Sequence, residues 1–189
     1  TFEITQNGLS ITGAGQFGLA PVVFDWKERF ALSGATGSEL KATARVTPDL
    51  LNAFGFAARN VMQGEAAVEL EAAGTGGRDF TTMTASVDLT RAQLELAELG
   101  WRKKYDAPAQ GSFRYGKDSK GALITGDIRA DGLELTGEAR MDLGGAFESA
   151  NIERIFSRDS VDLRGTVNSR PDGGYRVNIA GPFFDASPF

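Results

Sequence analysis

Apolar and polar residues alternate without a break near the end of the chain. Val161, Leu163, Gly165 and Val167 fall on one side of an extended strand, and Asp162, Arg164, Thr166 and Asn168 fall on the other. After the breaker cluster Ser169-Arg170-Pro171-Asp172-Gly173-Gly174, Tyr175, Val177 and Ile179 oppose Arg176, Asn178 and Ala180, so the pair predicts a β-hairpin. The same one-sided alternation recurs along most of the chain, and it constrains the fold more than any other feature. A sheet built from such strands has one apolar face, which must leave water.

Taken in order, Phe2 to Thr5 and Leu9 to Thr12 flank Gln6-Asn7-Gly8, and Asn-Gly signals a tight hairpin because both residues tolerate positive φ. Val22, Phe24 and Trp26 then oppose Val23, Asp25 and Lys27, and Leu40, Ala42, Ala44 and Val46 oppose Glu39, Lys41, Thr43 and Arg45. The period changes at Thr47-Pro48-Asp49, an N-cap followed by a proline suited to the first helical position and an acid at the positive helix end. Leu50, Leu51 and Phe54 follow at helical spacing, predicting one short helix that continues raggedly after Gly55 through Arg59 to Met62. Beyond it the period returns to two. Ala66, Val68, Leu70 and Ala72 form one face, as do Met83, Ala85, Val87 and Leu89; Leu94 and Leu96 lead into Trp101, and Gly111, Phe113 and Tyr115 follow. Ala122, Ile124, Gly126 and Ile128 turn at Asp131-Gly132 into Leu133, Leu135, Gly137, Ala139, Met141 and Leu143. The stretch Ala146 to Phe156 reads as a strand with a blurred pattern.

Composition removes several function classes. The chain of 189 residues has no Cys and no His, so thiolate chemistry, Cys-ligated metals and the commonest general base are absent. Its 24 glycines suit short strands joined by turns. The net charge of −5 comes from interspersed signs with Lys103-Lys104 the only basic cluster, so no nucleic-acid surface is expected. No apolar run approaches the roughly 20 residues that span a bilayer. The chain opens and closes almost inside strands and is expected to be a single β-rich domain, residues 1–189, cut from a longer protein.

The remaining motifs read as structural. Gly13-Ala14-Gly15-Gln16-Phe17-Gly18 matches a dinucleotide fingerprint, but no helix follows to receive a pyrophosphate, so a loop is expected. Gly74-Thr75-Gly76-Gly77 reads as a hairpin turn. The carboxylate pairs Asp25 with Glu28, Glu95 with Glu98 and Glu69 with Glu71 lie among many alternating charges and nominate no catalytic or metal site. Trp26-Lys27 and Trp101-Arg102-Lys103 read as strand-end tryptophans beneath snorkelling cations.

The apolar face leaves three solutions open: a second sheet packs over it as a closed β-sandwich, the sheet curls into a barrel, or a groove remains that something apolar fills. An ordered set of segments resembles a known family. Gly13 to Phe17 through Pro21-Val22-Val23-Phe24-Asp25-Trp26, the Thr47-Pro48-Asp49-Leu50-Leu51 helix start, the run Leu94 to Lys103, and Val161-Asp162-Leu163-Arg164-Gly165 to Gly181-Pro182-Phe183-Phe184-Asp185 are similar to the periplasmic part of AsmA-like proteins of the YhdP type. The resemblance implies a long, strongly curved antiparallel sheet, an open groove or half-barrel with one short helix. It also implies a periplasmic segment of an inner-membrane-anchored protein, whose anchor lies outside this stretch and which helps move phospholipid between the inner and outer membranes. Partners would be phospholipid acyl chains and the rest of the parent protein at both ends, with no enzyme activity, metal or cofactor. The expected groove lining is Leu40, Val46, Val68, Leu70, Met83, Val87, Leu89, Leu94, Leu96, Phe113, Ile124, Ile128, Leu133, Leu135, Met141, Leu143, Val161, Leu163, Val167, Val177 and Ile179. The alternative is a closed β-sandwich acting as a structural or adhesive module without a ligand.

Overall fold

The structure, a computed structural model, describes residues 1–18, 20–30, 36–53, 58–77, 79–158 and 160–184. Fifteen strands are present: β1 (Phe2–Thr5), β2 (Gly8–Phe17), β3 (Ala20–Arg29), β4 (Gly37–Val46), β5 (Met62–Gly64), β6 (Ala66–Gly74), β7 (Phe80–Asp88) and β8 (Ala92–Leu96), followed by β9 (Trp101–Lys103), β10 (Ala109–Asp118), β11 (Gly121–Ala130), β12 (Leu133–Met141), β13 (Phe147–Ser157), β14 (Val161–Ser169) and β15 (Tyr175–Phe184). One α-helix, α1 (Pro48–Ala53), and two single 3-10 turns, Ala58–Asn60 and Ala97–Leu99, complete the described elements. Twelve strands form one antiparallel sheet in the order β1-β2-β3-β4-β6-β7-β10-β11-β12-β13-β14-β15, and β5-β8-β9 form a small second sheet.

The large sheet is open. Its first and last strands each pair on one side only among the described residues, and strands that are not hydrogen-bonded neighbours make no substantial contact across it. The chain exposes 12255 Å². A compact monomer of its 20.1 kDa would expose about 8,700 Å². The excess is what a single layer with two wetted faces produces. Neither a closed barrel nor two large facing sheets are formed by the described residues.

Local chemistry explains the pairings. Ala130 pairs with Leu133 around Asp131-Gly132, and Gly132 adopts φ 70°, which glycine reaches without a Cβ clash. The first hairpin closes one residue earlier than the Asn-Gly signal suggests. Gly8 already pairs with Thr5, and the turn Gln6-Asn7 is held by the Asn7 N–H donating to Thr5 Oγ1 at 3.2 Å. The Gly13-Ala14-Gly15 segment is not a loop. It lies inside β2, with Gly13 opposite Phe24 and Gly15 opposite Val22. At α1, the Thr47 carbonyl accepts the first helical bond from Leu51 N–H at 3.1 Å; Phe54 and Gly55 lie outside the described residues, and Met62 begins a strand instead of prolonging a helix. The blurred pattern of β13 has a cause. Register shifts between Arg140 and Met141 and between Thr136 and Gly137 each insert a residue into β13, so its side chains change parity twice.

The two long connections, β4 to β6 and β7 to β10, leave the sheet at the same end and meet there. β5 from the first pairs with β8 from the second, Met62 opposite Leu94. Met62, Ala66, Leu89, Ala92 and Ala109 form the buried core of this cap, with Leu51, Val61, Val87, Leu94, Ile128 and Ala130 packed around it. Farther along the same end, Trp101 Nε1–H donates to the Asp131 carbonyl at 2.9 Å, and the Ser160 and Ser157 hydroxyls donate to the Leu99 carbonyl at 2.7 and 3.2 Å. Lys103 does not snorkel. It is only 4% exposed, and its Nζ donates to the carbonyls of Ala92 at 2.6 Å and of Thr90 and Lys104 at 3.1 Å each, fastening β9 to β8. Burial holds its ammonium below the ordinary lysine range.

Candidate functional site

The strand registers sort every side chain of the large sheet onto one of two faces, because directly opposed residues point the same way. One row crosses the whole sheet: Phe2, Ile11, Trp26, Leu40, Ala72, Met83, Tyr115, Ile124, Ala139, Ala150, Val167 and Val177. A parallel row contains Val22, Ala44, Val68, Val87, Gly111, Ile128, Leu135, Ile155 and Leu163, and between them run Phe24, Ala42, Leu70, Ala85, Phe113, Gly126, Gly137, Ile152, Gly165 and Ile179. All of these belong to one face. Apolar residues are thus continuous over all twelve strands.

The opposite face is charged and hydroxylic. Its charges pair across strands: Lys41 with Glu71 at 2.7 Å, Arg45 with Glu65, Arg154 with Glu134 at 2.7 Å, and Ser112 Oγ with Asp127 at 2.8 Å. Lys41 is held above its ordinary range by its hydrogen bond to Glu71. These pairs sit in water and contribute mainly to register. The carboxylates Asp25 and Glu28 point to opposite faces, while Glu69 and Glu71 share the polar one.

Alanine offers a like-for-like measure of shelter because its side chain is the same everywhere. Ala14, Ala67 and Ala73 on the polar face are exposed, whereas Ala42, Ala44 and Ala85 on the apolar face are half-buried and Ala66, Ala72 and Ala122 are buried. The apolar face is therefore the more enclosed side. A depression of about 310 Å³ lies on it, walled by Phe113, Ile128, Leu135, Ile152 and Ile155 and floored by Gly126 and Gly137. The Phe113 ring lies over Gly126, where a Cβ would stand 2.7 Å from Cδ1. A larger trough of about 650 Å³ opens on the polar face between Lys41, Glu69, Glu71, Thr84, Ser86 and Arg114. Lys41 and Glu71 satisfy each other there, and Asp25 Oδ1, enclosed beside them, accepts no hydrogen bond from the described residues.

Most of the expected lining residues lie together on the apolar face, from Leu40 to Ile179. Leu89, Leu94, Leu96 and Leu143 do not. Leu89 packs into the cap core and Leu94 against it, Leu96 pairs with Trp101 in the small sheet, and Leu143 is 73% exposed in the β12–β13 turn, where the strand has already ended. Leu133 and Val161 share the face but are buried beneath the cap end. The expectation missed Phe2, Ile4, Leu9, Ile11, Val22, Phe24, Trp26, Ile152 and Ile155. Parity located Val22, Phe24 and Trp26, and the bulges hid Ile152 and Ile155. Among the described residues no cluster of acids could hold a metal, and no helix is long and apolar enough to cross a membrane.

Three carboxylates respond to acid, Glu28 on the side of Trp26 and Asp88 and Asp118 on the polar side. Ser38 Oγ–H donates to Glu28 at 2.5 Å and Gly77 N–H at 2.6 Å; the Thr90 hydroxyl and its N–H, at 2.8 Å, serve Asp88; Lys120 N–H at 2.7 Å serves Asp118. Each is held below its ordinary range, Glu28 chiefly by Ser38, Asp88 by Thr90 and Asp118 by Lys120. Protons therefore bind the unfolded chain more readily, and the stabilisation is complete above about pH 5 and lost progressively as pH falls below it. The thermal midpoint, followed by circular dichroism, should drop between about pH 5 and 3, with Asp88→Asn flattening the slope. A midpoint constant over that window would contradict these hydrogen bonds.

Comparison with protein-family models, with curated proteins and with solved structures finds no match to this chain.

Proposed function

We propose that the apolar face binds lipid acyl chains and that the chain is a lipid-conducting segment of a bacterial envelope protein of the AsmA-like kind. The segment would lie in the periplasm and help phospholipid pass between the inner and outer membranes. One observation carries the reading: a register-continuous apolar face crosses twelve strands, and the second sheet among the described residues covers its cap end alone. Exposed apolar surface of that extent is costly in water, at about 25 cal/mol for each Å². Acyl chains would relieve it without directional bonds. The paired charges on the reverse face keep that side wetted.

Incubation of the purified chain with vesicles of phosphatidylethanolamine and phosphatidylglycerol, re-isolation by size exclusion, and native mass spectrometry supply the test. Phospholipid should co-migrate with the folded chain. Folded, lipid-free chain after exposure to both lipids would sink the reading.

A further inference from the structure

The two ends of the apolar face differ. At one end the cap core of Met62, Ala66, Leu89, Ala92 and Ala109 closes over it. At the other the face carries charge. Among the register-paired positions of β3 to β14 on this face, only two hold a carboxylate or a cation, Glu28 and Lys117. Each stands one residue short of the strand end that points away from the cap. Two residues inward on the same face stand Trp26 and Tyr115, which share one cross-sheet row. An aromatic ring with a polar tip suits the boundary between an apolar layer and water.

The two charges are not equivalent. Glu28 is engaged, accepting Ser38 Oγ–H at 2.5 Å and Gly77 N–H at 2.6 Å. Lys117 is 46% exposed and meets one partner among the described residues, Asp79 Oδ1 at 3.1 Å, so its ammonium keeps further protons to donate. The Tyr115 hydroxyl has no hydrogen-bond partner among the described residues. Around them the face is apolar: Lys117 is opposite the buried Ala122, and Tyr115 is opposite Ile124. Strand β10 thus runs from Phe113, which walls the depression of about 310 Å³, through Tyr115 to Lys117, from apolar to cationic within about 13 Å at 3.3 Å per residue. A molecule that matches this track is apolar along its length and anionic at one end.

We propose that Lys117 and the Tyr115 hydroxyl bind the phosphate of a phospholipid whose acyl chains run from there along β10 toward the cap. The headgroup then sits at the strand ends remote from the cap, where the ammonium supplies a charge-assisted hydrogen bond to the phosphodiester. The inference rests on the lipid reading and adds to it the orientation of the lipid and a preference for an anionic headgroup.

Displacement of a fluorescent-acyl lipid from the purified chain, by phosphatidylglycerol and by diacylglycerol with the same chains but no phosphate, tests it. Phosphatidylglycerol should compete about five-fold better on the wild type. Lys117→Gln should remove that advantage and leave diacylglycerol unchanged, whereas Lys117→Arg should keep it. Lys104→Gln removes the same charge from an exposed position next to the cap strand β9 and should change neither. Circular dichroism confirms that each variant is folded. Equal competition by the two lipids on the wild type, or equal losses in Lys117→Gln and Lys104→Gln, would overturn the proposal and leave lipid binding standing. Glycerol phosphate, the headgroup without chains, should displace the probe only at far higher concentration; displacement as effective as that of phosphatidylglycerol would make this a free-phosphate site and overturn the proposal as well. Displacement by neither lipid would remove the lipid reading, and this inference with it.

Discussion

Leu135→Asp should lower phospholipid binding by about 30-fold or more, because a carboxylate set against an acyl chain costs at least about 2 kcal/mol. Leu135 stands in the row Ile128, Leu135, Ile155, Leu163, beside the glycine-floored depression. Its side chain is half-buried in the free protein, so the substitution also strains the fold. Ile124→Asp separates the two effects. Ile124 lies on the same face, one row beyond Gly126, but is already 38% exposed, so the free chain tolerates a carboxylate there better. Glu134, the neighbour of Leu135 on the opposite face, is a poor control because it accepts Arg154 Nη1–H at 2.7 Å. Thr82→Glu serves instead: Thr82 is exposed on the polar face between Ala73 and Gly116, so a new carboxylate there has no charged residue directly opposite it. Displacement of a fluorescent-acyl phospholipid reads all three. Equal losses, or retention by Leu135→Asp and Ile124→Asp, would remove the apolar face from lipid binding.

How much of this was legible in the sequence follows from what period two does and does not encode. It encodes which side of its own strand a residue occupies, so Leu40, Leu70, Phe113, Leu135 and Leu163 were assigned to one face before any pairing was known. It does not encode which sheet a strand joins. Leu94 and Leu96 alternate as cleanly as Leu70 does, yet their partners are Met62 and Trp101, and those pairings depend on two distant connections meeting at one end. Bulges defeat parity altogether, and two of them in β13 hid Ile152 and Ile155. The glycines of β2 imitate a loop because their lack of side chains erases the pattern, although the backbone stays paired. Lys103 departs from the expected snorkelling for another reason. A lysine can be buried only where carbonyls converge on it, and the three that do so are brought together by tertiary structure.

The two tryptophans, alike in sequence beside a basic residue, should differ most when removed. Trp101 is buried beneath the cap end with its indole N–H bonded to Asp131, so Trp101→Ala leaves a cavity and an unpaired carbonyl and should cost about 3–5 kcal/mol. Trp26 lies half-buried on the uncovered part of the apolar face, and Trp26→Ala should cost only about 1–2 kcal/mol. Urea unfolding measures both. The loss at Trp101 should also be local in origin. It frees the turn Ala97–Leu99, whose Leu99 carbonyl receives Ser157 and Ser160, and then β8 and β9, so hydrogen exchange should quicken first at residues 92–103 while β2 and β3 keep their protection. Equal costs for the two tryptophans, or unchanged exchange at residues 92–103, would show that the cap does not depend on Trp101. If exchange quickens as expected, the cap can loosen while the sheet persists. The covered end of the apolar face, Leu133 and Val161 included, would then join the uncovered part, and the Trp101→Ala chain should retain more phospholipid than the wild type.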